Sequence, residues 1–404
     1  MTRLDAQSMR LIGFLSAATL FEGFDFFALA QVLPQIRDEF QLTEFGTGAL
    51  VAFASLGTVF AWVVVRYSDV VGRRKVLLWT LIGYAVFTGL SALAPNVWLF
   101  AGAQFGARLF LIAEWGVAAV YAAEEFPKEL RGTMLGIVQA MSSLGAIVCG
   151  ATVPLLIQGP FGWRMVFLVG VVPGLVLTLA RRGLPETRRF TEMVSKGAVV
   201  QDVMRPWRQG FGRRIVQLAL MWSLTYMCTQ SAVHFWKEFV VRERGFTDGM
   251  VAGSLTVAAI GSMPFVFMSG RLIDILGRKI GATVIYGLGI AGVLGAYLLP
   301  ERIGLTIALT FAIFGSSAVL PVLNAFTTEL FPTEMRAEGM GWANNLLGRI
   351  GYVIGPLAVG AAAEETGWGI AVAATTLGPL MALGMIWAWM PETAGKELED
   401  IPLH

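Results

Sequence analysis

The sequence predicts an all-α integral membrane protein with twelve spanning helices arranged as two matched six-helix bundles. Three observations predict it. Apolar residues make up 56% of the 404 and charged residues only 14%, where soluble domains carry roughly 25% charge. Apolar runs of about 20 residues, the length a helix needs to cross a bilayer, recur along the chain. Several short polar motifs recur at one spacing. Mean hydropathy is +0.67, which excludes disorder, and no short-period repeat points to collagen or a coiled coil. A net charge of +2 lacks the footprint of a nucleic-acid binder. Cys149 and Cys228 both lie in apolar stretches and build neither a disulfide framework nor a metal site. Met1–Arg10 is polar and short, with no cleavage site after it, so the first apolar run is expected to stay as a span.

Breaking the apolar runs at charge clusters and Pro/Gly punctuation predicts spans at 11–36, 46–65, 76–94, 97–123, 132–157, 164–180, 215–236, 248–270, 280–299, 303–327, 339–363 and 368–390. Orientation follows from the basic residues. With the N-terminus inside, the inner segments hold 22 of the 30 Lys and Arg, the outer segments six, and Arg108 and Arg349 fall within spans. Both termini are therefore expected in the cytoplasm, with the chain in the plasma (inner) membrane. Nine of the inner bases lie in Arg181–Arg214, against three acids. This stretch reads as a linker on anionic lipid, between bundles at 1–180 and 215–404.

The two halves repeat. Asp69-Val70-Val71-Gly72-Arg73-Arg74 returns as Asp274-Ile275-Leu276-Gly277-Arg278-Lys279. Glu124-Glu125-Phe126-Pro127 with Arg131 returns as Glu329-Leu330-Phe331-Pro332 with Arg336. Leu184-Pro185-Glu186-Thr187 returns as Met390-Pro391-Glu392-Thr393. Paired halves with a site between them are the plan of many secondary transporters.

These motifs resemble the major facilitator superfamily. Gly270–Lys279 matches that family's loop signature G-x-x-x-D-x-x-G-R-[RK] throughout, whereas the first copy has Val65 in place of glycine and Val70 where a base is common. The Pro-Glu-Thr pairs and Pro-x-x-x-Arg loops resemble the sugar-porter and metabolite:H+ or aromatic-acid:H+ symporter branches. The loop motif also has a mechanical reading. Asp274 is expected to cap N–H groups of the ninth span. Arg278 and Lys279 are expected to pair with acids such as Glu329, closing the cytoplasmic side in one state and parting in the other. Asp69, Gly72 and Arg73, with Glu125 and Arg131, occupy the matching gate positions of the first half, as Gly277 and Arg336 do in the second. The alternative is that these bases only follow the positive-inside bias.

Charges at mid-span are costly and therefore informative. By counting at ~1.5 Å per residue, Glu22, Asp25, Arg108 and Arg349 fall within about 5 Å of one plane, and Glu114 about 6 Å toward the cytoplasm. Glu22 and Asp25 are three residues apart and share a helix surface, so they should titrate as a unit. The resemblance implies a first-span carboxylate working with a fourth-span arginine: Asp25 as proton acceptor, Arg108 as partner, and Glu22 at the first acid of an Asp-x-x-Asp pattern. A structural ion pair is the alternative. Arg349, preceded by Asn344 and Asn345, can grip a carboxylate bidentately. Glu114, in Ala113-Glu114-Trp115-Gly116, resembles the Gly-Glu-Trp of the metabolite symporters and is read as substrate contact or inner-side packing. Tyr226 and Gln230 are expected to line the cavity, continuing a face with Trp222. His234 and Trp236 are expected in the outer aromatic belt.

The chain has no phosphate-binding G-x-x-x-x-G-K-[ST] and no G-x-S-x-G. It is therefore expected to be neither an ATP-driven pump by itself nor an enzyme. The leading expectation is a monomeric, proton-coupled symporter of a small organic anion, with H+ as coupling ion and no cofactor. A sugar or polyol symporter, a proton-driven drug exporter and a substrate sensor are the alternatives.

Overall fold

The computed structural model describes residues 6–125, 131–181, 186–187, 190–192, 202–332 and 334–393. Among them there are helices and turns and no strand. The first half runs α1 Ala6–Phe40, α2 Glu44–Val71, α3 Arg73–Leu93, α4 Val97–Glu125, α5 Arg131–Leu156 and α6 Arg164–Arg181. The second runs α7 Gly212–His234, a short α8 Trp236–Arg244, α9 Asp248–Ile275, α10 Arg278–Leu298 and α11 Arg302–Glu329. The eleventh span then starts as α12 Arg336–Met340, loosens into a π-wound stretch Gly341–Leu347 and a tight 3-10 turn Gly348–Ile350, and resumes as α13 Gly351–Ala374. Gly367, at φ 77°, breaks α13 and starts the twelfth span, which ends in α14 Leu377–Trp389.

The chain divides into two compact units: residues 1–36 with 53–201, and residues 37–52 with 202–404. The division is not one cut in sequence, because the end of α1 and the start of α2 go with the second unit. Gly48 explains part of this: a Cβ there would lie 2.4 Å from the Pro356 carbonyl oxygen, so only glycine lets α2 reach α13.

Each unit is held by helix crossings in which glycine meets backbone. In the first, a Cβ on Gly23 of α1 would stand 2.0 Å from the Ser142 oxygen of α5. One on Gly145 of α5 would stand 1.9 Å from the Leu20 oxygen of α1. In the second, Gly351 repeats this against the Ser223 oxygen of α7 at 2.1 Å. Close approach of this kind suits a bilayer, where apolar area gives helices no reason to associate and packing must do so. The outer surface is correspondingly apolar: Phe60, Trp79 and Phe267 are exposed.

Where α2 meets α3 and α9 meets α10, the chain turns through a glycine at positive φ, Gly72 at 109° and Gly277 at 87°. That conformation penalises any residue with a Cβ. The glycine of the loop motif is therefore a backbone requirement. The valine in the motif also has a structural account. Val65 packs on Gly116 of α4, whose missing Cβ would lie 2.7 Å from the Val65 methyl. In the second copy Gly270 has nothing within 4 Å of where its Cβ would be, so no close helix contact requires glycine there.

Candidate functional site

In the first unit, Asp25 is buried on α1 and accepts a hydrogen bond from the Tyr84 hydroxyl of α3 at 3.1 Å. Arg108 of α4 is also buried. Its Nη2 donates to the Phe26 carbonyl oxygen at 3.1 Å, its guanidinium lies 4.9 Å over the Phe26 ring, and its charge acts on Asp25. The structure thus gathers Asp25, Tyr84 and Arg108 in one buried layer, with the α1–α5 glycine crossing fixing the height of Asp25. Glu22 is half-buried one turn below Asp25, and Glu114 is buried further along α4. Tyr84 is the member that sequence reasoning missed. A lone tyrosine in an apolar span was its only signal.

In the second unit the corresponding layer is aromatic. Tyr226 of α7 stacks on Tyr352 with ring centroids 4.2 Å apart, and its hydroxyl donates to Asn344 Oδ1 at 2.8 Å. Asn344, Asn345 and Arg349 all sit in the wound stretch of the eleventh span. Such π-wound turns displace side chains from the regular helical pattern and recur at functional sites. Arg349 is only 9% exposed, and its charge acts on Tyr226. Asn345 is half-buried and makes no hydrogen bond among the described residues. Tyr226 itself is buried, so the ring face on offer is that of the half-buried Tyr352; with the Asn345 amide and a guanidinium it can take a flat anion.

Four placements depart from expectation. Trp222 is a core residue rather than a cavity wall: it is fully buried and its Nε1 donates to Thr327 Oγ1 at 3.0 Å. His234 and Trp236 are not in an outer belt; they are 0% and 1% exposed. A break in the helix at Phe235, which stacks on Trp368, leaves His234 ending α7 and Trp236 opening α8, both inside the packing of the second unit. Gln230 is buried as well.

The loop motif is built differently from expectation too. Asp274 does not cap the ninth span. It pairs with Arg278 Nη1, while the cap is Glu392, which accepts from the Arg278 and Lys279 amides at 2.8 and 3.0 Å. In the first half Glu186 does the same for Arg73 and Arg74, at 3.0 and 3.2 Å. The reason is geometric. Asp274 precedes the turn at Gly277, so its carboxylate stays on α9, whereas the returning Pro-Glu-Thr segment crosses the mouth of α10. Arg278 Nη2 does pair with Glu329, at 2.9 Å, and Thr393 donates to the other oxygen of Glu329. Asp69 pairs with Arg73 at 3.0 Å. Lys279 reaches the Trp387 carbonyl oxygen instead of an acid. Arg336 opens α12, half-buried. The side chains of Glu125 and Arg131 lie outside the described residues.

A second charge cluster escaped sequence reasoning altogether. Glu238 of α8 is fully buried. Its Oε1 takes Arg37 Nη1 at 2.8 Å and Arg242 Nε at 3.4 Å, and its Oε2 has no hydrogen-bond partner among the described residues. Arg37 also binds Glu44, and Arg242 binds Asp38. Burial lifts the Glu238 carboxyl above its usual 4.5 despite the pull of both guanidinium groups. Nearby, Glu243 caps the twelfth span by accepting from the Trp368 amide at 2.5 Å.

Twelve spans in two bundles, with charges buried within the helices at Asp25, Arg108, Glu114 and Arg349, define a multi-pass membrane transporter of small molecules. The sequence pattern of the Major Facilitator Superfamily matches residues 15–356. The chain belongs to that superfamily. It is 25% identical to the niacin transporter NiaP of Acinetobacter baylyi, over 95% of this chain and 94% of that protein. It is 27% identical to the cis,cis-muconate transport protein of the same organism, over 86% of each. A crystal structure of a D-xylose-proton symporter superposes with a TM-score of 0.76 at 18% identity, covering 96% of this chain and 99% of that one.

Proposed function

We propose that this transporter carries a small organic carboxylate with a flat, conjugated body, by proton symport. The observation that carries the reading is the Tyr226–Tyr352 stack beside Asn345 and Arg349 in the wound part of the eleventh span. A ring or diene would lie on the tyrosine face, and the carboxylate would be held by the guanidinium and the amide. The related proteins named for niacin and cis,cis-muconate support it, since both compounds are planar carboxylates.

H+ is the coupling ion in this reading, with no cofactor. Asp25 takes the proton. Ionised, it accepts from Tyr84 and feels the charge of Arg108. Protonated, it loses the attraction to Arg108, and the layer that fixes α1 against α3 and α4 loosens. Glu22, one turn away, titrates with it as a pair. Alternating access follows the general plan of paired-repeat transporters, and the loop clusters around Arg73 and Arg278 break and re-form. The transporter works as a monomer in the inner membrane, with both termini in the cytoplasm, as the 22-to-6 distribution of bases favours.

The test is uptake by proteoliposomes with an imposed pH gradient. One proton per substrate across one pH unit supports up to about tenfold accumulation. Asp25→Asn should abolish that accumulation while counterflow exchange persists. Full accumulation by the variant would refute the coupling role.

A further inference from the structure

Beyond transport, the second unit carries a groove of about 430 Å³ at the end from which α7 starts. It is lined by Trp207, Gly212, Arg213, Val216, Gln217, Leu220 and Trp389. Arg213, Val216 and Leu220 follow one another at three- and four-residue spacing, so they share one face of α7. Val216, Leu220 and Trp389 are all exposed, at 44%, 42% and 41%. At this depth of a membrane protein, exposed apolar side chains face acyl chains. Gly212 lets the Trp207 ring lie flat on the first turn of α7, since a Cβ there would meet the ring at 2.9 Å.

The bases around the groove are not equivalent. Arg205 pairs with Glu334 at 2.9 Å, Arg208 with Asp202 at 2.7 Å, and Arg214 reaches the Leu330 carbonyl oxygen at 3.4 Å. Arg213 alone of the four is exposed with no ion pair or hydrogen bond among the described residues. No acid lines the groove. The Trp207 Nε1 in its wall is enclosed and has no acceptor among the described residues, and α7 begins at Phe211 without a side-chain cap, which favours negative charge there. One uncompensated guanidinium lines the groove beside the apolar Val216 and Leu220, and two indoles, a side chain enriched at membrane–water interfaces, line it as well.

We propose that this groove is a binding site for an anionic phospholipid. The headgroup phosphate sits on Arg213, and one acyl chain lies along Val216, Leu220 and Trp389. A free phosphate would use the arginine and leave the apolar wall bare. A zwitterionic lipid would fill the wall and gain less from the charge. Neither Asp25 nor Arg349 lines the groove, so the proposal stands or falls independently of the substrate.

Native mass spectrometry of the delipidated full chain, titrated with phosphatidylglycerol or phosphatidylcholine, tests it. Phosphatidylglycerol should bind more tightly. Arg213→Gln should weaken it about fivefold, equivalent to about 1 kcal/mol at 1.4 kcal/mol per decade, and leave phosphatidylcholine unchanged. Arg213→Lys should retain the preference, and Arg208→Gln should not alter it. Leu220→Asn should weaken both lipids. Equal binding of the two lipids by the wild type, or an unchanged preference in Arg213→Gln, would overturn the proposal. So would displacement of phosphatidylglycerol by inorganic phosphate at matched concentration.

Discussion

Removing the Glu392 carboxylate offers the sharpest view of how the Pro-Glu-Thr segment works. Glu392 accepts from two successive amides, Arg278 at 2.8 Å and Lys279 at 3.0 Å, at the start of α10. Loss of a helix cap costs about 1–2 kcal/mol, and the helix dipole adds some tenths at a partly exposed end. Glu392→Gln keeps the shape and removes the charge; Glu392→Ala removes both. The loss should appear locally, because the bulk of α10 packs on α11 and is untouched. An opening made easier by ~1–2 kcal/mol raises amide exchange about 5- to 30-fold. Hydrogen–deuterium exchange read by mass spectrometry on the purified protein should show this in the peptide covering 277–283 for the alanine variant, with a smaller rise for glutamine. The peptide covering 72–78, capped by Glu186, should not change. Unaltered exchange at 277–283, or a uniform rise throughout the chain, would refute the capping account.

Three further outcomes are expected. Arg349→Ala should raise the KM of carboxylate substrates more than that of neutral analogues in the same uptake assay; an equal loss would exclude an anion contact. Gly351→Ala places a Cβ 2.1 Å from the Ser223 oxygen, so α7 and the eleventh span must separate; thermal stability in detergent should fall by more than ~1 kcal/mol, with transport lost. Glu238 has a raised folded-state pKa, so its contribution favours the fold below the ordinary glutamate pKa and is lost as pH rises through the raised value. Arg37 and Arg242 face it, with Glu44 and Asp38 behind them. Glu238→Gln should flatten this part of the stability–pH profile, and an unchanged slope would assign the dependence elsewhere.

The skeleton was legible because the bilayer writes its thickness into composition. The runs at 97–123 and 164–180 became helices Val97–Glu125 and Arg164–Arg181. Hydropathy reports membrane depth and not helix length, which is why 11–36 fell short of Ala6–Phe40. The repeated motifs marked where the charged loop clusters lie. They did not say which carboxylate caps which helix, since Glu392 and Arg278 are more than a hundred residues apart and only the fold brings them together. Nor did they show that Tyr84 meets Asp25. The wound stretch at Gly341–Leu347 contains no proline, the usual signal for an irregular helix, so it left no trace. His234 and Trp236 were misplaced for a related reason: the helix breaks at Phe235 and continues as α8, and a count along one straight span cannot anticipate the break.

The contact between Val65 and Gly116 changes how the loop signature should be compared between relatives. The space needed there is shared by two helices, and either one can supply it. In this chain α4 gives up the side chain that α2 keeps. A substitution at one column therefore has no fixed meaning until its opposite number is known, and the pair is the unit on which sterics act.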